Sequence, residues 1–142
     1  MTNTYLRIPE EQVINAAIPH KGDEQLPLIQ LYNLSPSGSL KSTLPDVMKF
    51  LKYYVDSYDT SYHTKNILSD QYPVTDEIIP FGWGTIRKNN IDLFFHTGGT
   101  YGSNSIVCII PEKKIGISIL SNNNLNNGLN NYLLSIVDFF TR

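Results

Sequence analysis

Residues 91–121 read IDLFFHTGGTYGSNSIVCIIPEKKIGISILS, and their spacing decides the fold. The period of two over Ile91–Thr97, Ser105–Ile110 and Ile115–Ser121 predicts three β-strands. Pro111-Glu-Lys-Lys114 is the turn between the last two. A further strand is expected upstream, over Phe81–Arg87, joined through Lys88-Asn89-Asn90. All these connections are short, so consecutive strands should be antiparallel neighbours.

Helical spacing flanks the strands. After them, about residues 126–140 put Leu129, Leu133, Ile136, Val137 and Phe140 on one face. Before them, Thr43-Leu-Pro-Asp46 opens a helix over residues 43–56. Thr43 fits the N-cap, Asp46 completes a capping-box pattern, and Pro45 is tolerated in a first turn. Val47, Phe50, Leu51, Tyr54 and Val55 then form a single apolar stripe. A shorter helix is expected around Lys65–Gln71. Residues 1–42 read as irregular, punctuated by Pro9, Pro19, Pro27 and Pro36, with a loop at 35–39. With no repeat and no linker tract, residues 1–142 read as one α+β region, an antiparallel sheet with a C-terminal helix packed on it.

Composition narrows the function classes. The chain has 142 residues, 41 % hydrophobic and 17 % charged, which argues against disorder. A net charge of −2 from 11 basic and 13 acidic residues offers no basic stripe, so nucleic acid is not an expected partner. The single cysteine, Cys108, excludes an internal disulfide and a cysteine-based zinc site. The longest charge-free stretch, Ile115–Val137, holds seven asparagines and is no membrane span. The N-terminus, MTNTYLRIPEE, has neither the basic start nor the apolar run of a signal peptide.

Several catalytic patterns are absent. None of the eight lysines has a serine three positions before it, so there is no Ser-x-x-Lys. Gly-x-Ser-x-Gly is missing, and no Tyr-x-Asn follows any of the nine tyrosines. One Ser-x-Asn, Ser121-Asn122-Asn123, falls at a strand end and reads as turn chemistry. His20, His63 and His96 have no metal-pair spacing and no acidic cluster, so no metal site is expected. Among Tyr53, Tyr54, Tyr58 and Tyr62, Tyr54 is expected in the core and the others half-covering the surface.

His96-Thr-Gly-Gly-Thr-Tyr-Gly102 stands apart. An imidazole, a hydroxyl and two glycines follow an apolar strand. They offer a proton-linked charge, a donor, and a backbone that a ligand can approach closely. The glycine N–H groups could serve as oxyanion donors. The blander account is a glycine-rich hairpin turn with an incidental histidine.

These residues carry a resemblance. His96-Thr-Gly-Gly-Thr-x-Gly102, Ser105, Pro111-Glu-Lys-Lys-Ile-Gly116 and Leu120-Ser-Asn122 resemble the C-terminal half of the class C β-lactamase-related serine hydrolases. That family includes class C β-lactamases, D-alanyl-D-alanine carboxypeptidases and esterases. His-Thr-Gly resembles its third motif. Gly38-Ser-Leu-Lys-Ser-Thr43 with Asp46 is similar to its helix-opening segment, and Phe81-Gly-Trp-Gly84 to its Tyr-Gly-Leu-Gly strand. Met1-Thr-Asn-Thr-Tyr5 resembles a segment found midway through such proteins.

The resemblance implies roles by position. His96 and Thr97 would contact a substrate carboxylate or assist proton movement. Gly98 and Gly99 would supply backbone to an oxyanion site, with the Gly99 N–H as one donor. Thr100, Tyr101 and Asn122 would be substrate-contacting. It implies no cofactor, and a peptide or β-lactam-like small molecule as ligand. It also implies a preceding half with the nucleophile, its base and Tyr-x-Asn, so this chain alone is expected to lack acyl-enzyme chemistry. Full-length relatives are periplasmic or secreted. The chain then reads either as the C-terminal portion of a hydrolase, or as a shortened relic or ligand-binding module. An unrelated α+β interaction domain is the remaining alternative.

The family fold is a five-stranded antiparallel sheet with terminal helices on one face and a helical region on the other. By that similarity two further strands would pair beside Ile115–Ser121. Without them this segment is an unprotected edge, and the covering helix leaves apolar sheet surface to water. Self-association through the 115–121 edge or that face is therefore expected.

Overall fold

A computed structural model of the chain describes residues 1–30, 38–69, 71–74, 77–80, 82–124 and 128–142. Two helices precede the sheet, α1 (Leu44–Ser57) and α2 (Tyr62–Ser69). Before them lie a 3-10 turn, Glu10–Asn15, and a minimal hairpin, β1 (His20–Lys21) with β2 (Glu24–Gln25). A separate hairpin pairs β3 (Gln71–Val74) with β4 (Glu77–Pro80). The main sheet follows: β5 (Gly84–Lys88), β6 (Ile91–Thr100), β7 (Ser103–Ile110) and β8 (Ile115–Ser121), and then α3 (Gly128–Phe140). Its order is β5-β6-β7-β8 and every pair is antiparallel. The architecture is α+β.

The turns explain the sheet's tight connections. Asn89 and Asn90 both take the left-handed conformation, at φ 52° and 61°. Asparagine tolerates that region, and a two-residue hairpin whose twist matches its strands requires it. Lys114, at φ 55°, closes the 3-10 turn Pro111–Lys113 before β8. These turns also hold the end of α3. Asn89 donates to the Thr141 carbonyl at 2.6 Å, and Lys88 pairs with Asp138 at 2.6 Å.

Strand alternation divides the core in two. On one face Leu93, Ile106, Cys108 and Ile110 meet Leu129, Leu133 and Val137 of α3. Burial pushes the Cys108 thiol up to about 12, so it is inert filling rather than a nucleophile. On the other face Phe94 and Ile109 meet Leu51, Val55, Leu68 and Trp83. Tyr54 packs edge-on against Trp83 at 5.4 Å, and Tyr58 lies tilted against Phe94 at 6.5 Å. Tyr53 and Tyr62 are exposed.

Local expectations shift at several points: β6 runs on past Thr97 to Thr100, and β7 starts at Ser103, ahead of Ser105. The upstream strand begins at Gly84, and Phe81 lies outside the described residues, as do residues 125–127 ahead of α3 and most of the 35–39 loop. The shorter helix starts three residues earlier than its spacing suggests, at Tyr62. The capping box does not form. Thr43 sits at the N-cap in extended conformation but makes no side-chain cap bond. Asp46 is drawn elsewhere: Oδ1 accepts from Lys49 at 3.0 Å, and Oδ2 from the Asn3 N–H at 2.7 Å and the Thr4 hydroxyl at 3.1 Å. The Lys49 bond is the main cause holding its carboxyl down to about 2. Burial opposes that shift, and the Asn3 and Thr4 bonds reinforce it.

That carboxylate anchors the irregular N-terminal segment, which folds back across the sheet. Tyr5 and Lys41 exchange backbone hydrogen bonds at 2.8 Å in both directions. Farther along, the His20 N–H donates to the carbonyls of Gly102 and Asn122, and the Asn124 N–H donates to the His20 carbonyl. The Asn123 side-chain amide grips Gly22 on both its N–H and its C=O. Among the described residues, no helix is long and apolar enough to cross a membrane.

Candidate functional site

The site arises from a length mismatch between neighbouring strands. β5 accompanies β6 only as far as Phe95, which pairs with Gly84. β7 accompanies it through Thr100. From His96 to Thr100 one edge of β6 therefore has no strand partner among the described residues. Along that edge alternate N–H and C=O groups point outward with no backbone partner among the described residues, an arrangement that an extended ligand can pair with.

Register assigns the side chains to faces. His96 pairs with Val107, which packs against the α1 cluster, so His96 belongs to the α1 face. Thr97 pairs with Ile106 of the α3 cluster and belongs to the opposite face. His96, Thr97 and Gly99 are exposed, while Gly98 and Thr100 are half-buried.

A cavity of about 820 Å³ opens on the α1 face. One wall is the end of the sheet: His96, Gly98, Gly99, Thr100 and Tyr101, with Ser103, Asn104, Ser105, Leu120 and Ser121. The facing wall is the N-terminal segment and the start of α1, including Asn3, Tyr5, Gln12, Lys41, Ser42, Val47 and Phe50. Gly98 keeps the sheet wall open: a Cβ there would stand 2.8 Å from the Ser105 hydroxyl. No aspartate or glutamate lines the cavity, and Lys41 and His96 are its basic side chains among the described residues.

The structure brings together His96, Gly98, Gly99, Thr100 and Tyr101 at this cavity. It separates Thr97, whose side chain lies across the sheet from His96, and Asn122, which does not line the cavity. The Asn122 amide donates to the Ile18 carbonyl at 2.9 Å and so fastens the loop leading into β1. The neighbouring Ser121 hydroxyl bonds the backbone of Asn123, which is turn chemistry. His20 is likewise committed, with Nδ1 2.7 Å from the Ile18 carbonyl. Among the described residues, no group of three or more histidine, cysteine or acidic side chains is placed to hold a metal ion.

Spacing alone does not reveal the N-terminal wall, because residues 1–30 carry no period to read. The clue lies in Met1-Thr-Asn-Thr-Tyr5, whose Asn3 and Thr4 meet Asp46 and whose Tyr5 meets Lys41.

The family model described as Beta-lactamase matches residues 1–136. No curated protein matches the chain.

Proposed function

The chain belongs to the β-lactamase family, and from that premise we propose that it is the substrate-strand portion of a β-lactamase-related serine hydrolase. The type is penicillin-binding, carboxypeptidase or esterase, working through an acyl-enzyme. The carrying observation is the β6 edge from His96 to Thr100, unpaired among the described residues, beside a cavity of about 820 Å³. A peptide-like substrate would lie along that edge as an added strand, with main-chain hydrogen bonds giving affinity. His96 would meet its carboxylate, and the outward N–H groups near Gly98 and Gly99 would polarise the carbonyl under attack.

Thr97 takes a backbone role in this reading, since its side chain belongs to the other face.

The sequence holds neither Ser-x-x-Lys nor Tyr-x-Asn. Without nucleophile and base most of the rate enhancement is lost. We therefore expect no covalent adduct when this chain alone is treated with a fluorescent penicillin or a fluorophosphonate. A stoichiometric adduct on any serine, seen by intact mass, overturns that expectation. The same absence favours a second reading, a non-catalytic module that binds a peptide or β-lactam-like ligand without turnover.

The outer edge of β8 has no partner among the described residues, and Leu120 at its end is 42 % exposed. We expect self-association through this strand, since an open edge templates another. Sedimentation at micromolar concentration should show a dimer. A monomer there, unchanged by Ile117→Pro, removes the edge as an interface.

A further inference from the structure

We propose that Lys41 is a specificity-determining residue, seating a second acidic group of the ligand on the wall facing His96. The inference rests on the reading of the cavity as the ligand site and adds to it a substrate class: a dianionic acyl or peptide-like compound with its two acidic groups held at opposite walls.

Three observations carry it. Lys41 lines the cavity, and its backbone is pinned in both directions to Tyr5, so its stem starts from a fixed point. Its ammonium donates to the carbonyls of Gly38 at 3.3 Å and Ser39 at 3.0 Å. Neutral carbonyls orient an ammonium without cancelling its charge, and of its three donors one has no partner among the described residues. Among the described residues no carboxylate forms an ion pair with it. The acidic group tied to the same wall, Asp46, is spent on Lys49, Asn3 and Thr4. Partial burial lowers the Lys41 pKa, as desolvation of an uncompensated cation should.

The cavity wall agrees. It combines apolar surface from Tyr5, Val47, Phe50 and Leu120 with the Lys41 ammonium and, among the described residues, no acidic side chain. Such a wall favours an anionic ligand and leaves a partly desolvated ammonium to be matched. If the lysine served only to brace the 38–39 turn, its charge would be incidental to the cavity and binding would not read it.

Two fluorescent probes of nearly equal shape separate these cases: N-dansyl-glutamate, a dianion, and N-dansyl-glutamine, a monoanion. Wild-type protein should bind the glutamate probe about tenfold more tightly, the scale of one charge-assisted hydrogen bond in a partly wet site. Lys41→Gln should level the two affinities while leaving the glutamine probe unchanged, and Lys41→Arg should keep the preference. Circular dichroism and the thermal midpoint of each variant establish that it is folded. Equal affinities in wild type, or an equal loss for both probes in Lys41→Gln, overturn the role of Lys41 and leave the cavity reading intact. If wild type binds neither probe, the cavity reading falls and the proposal falls with it.

Discussion

Leu51→Ala is expected to cost about 2–5 kcal/mol of unfolding free energy, the usual range for truncating a fully enclosed leucine. Leu51 is 0 % exposed and sits where α1 meets the sheet, among Val55, Leu68, Trp83, Phe94 and Ile109. Part of the loss is transfer of the removed methyl groups. The rest depends on how far α1 can settle into the gap, and aromatic neighbours such as Trp83 and Phe94 limit that. Met48→Ala is the control on the same helix. Met48 is 39 % exposed, and its truncation should cost well under half as much. Urea unfolding at constant slope measures both. A Leu51→Ala loss below about 1 kcal/mol would mean that α1 is not seated against Phe94 and Ile109 as described. Because Val47 and Phe50 of the same helix line the cavity, the variant should also blunt ligand binding.

Gly102→Ala is expected to destabilise by about 2–4 kcal/mol, combining left-handed strain with overpacking. Gly102 has φ 82°, and a Cβ there would meet Pro19 Cβ at 2.8 Å, the His20 nitrogen at 2.9 Å and Leu26 at 2.9 Å. Two of those atoms are near the main chain of one segment, so relief requires residues 19–26 to lift away. The Gly102 carbonyl also accepts the His20 N–H. Amide exchange should therefore speed up at His20 and Asn124 while Ile106 and Ile109 stay protected. Gly22→Ala isolates the backbone contribution. Gly22 has φ 62° with nothing within 4 Å of its Cβ position, so strain alone remains, about 1 kcal/mol. Gly102→Ala with wild-type stability would show that the N-terminal segment does not rest on this turn.

The sheet was legible because its information is local. Alternating apolar residues place β6, β7 and β8, and Asn89-Asn90 and Pro111–Lys114 name their turns. β8 occupies the same span, Ile115–Ser121, that its spacing predicts. The apolar stripe of α1 and that of α3 are equally local. What the spacing could not give was contact at long range. Asp46 looks like a capping residue three positions after Thr43, yet besides Lys49 its partners are Asn3 and Thr4, more than 40 residues earlier. Asn122 looks available, yet its amide is committed to Ile18, more than 100 residues away. His96, Gly98 and Thr100 were recognisable by chemistry. Their companion wall was not, because irregular chain announces no face until something holds it.

The fold also sets the site by parity. β6 is one uninterrupted strand whose first half is fixed by core packing, with Phe94 committed to the α1 side and Leu93 to the α3 side. The second half inherits that phase, since nothing between Phe95 and Thr100 resets the alternation. Core hydrophobicity thus dictates which ring and which hydroxyl look into the cavity. A residue inserted or removed within this strand would exchange His96 and Thr97 between faces without altering a single site residue. Selection on the site is consequently selection on the length of the apolar run before it, counted modulo two.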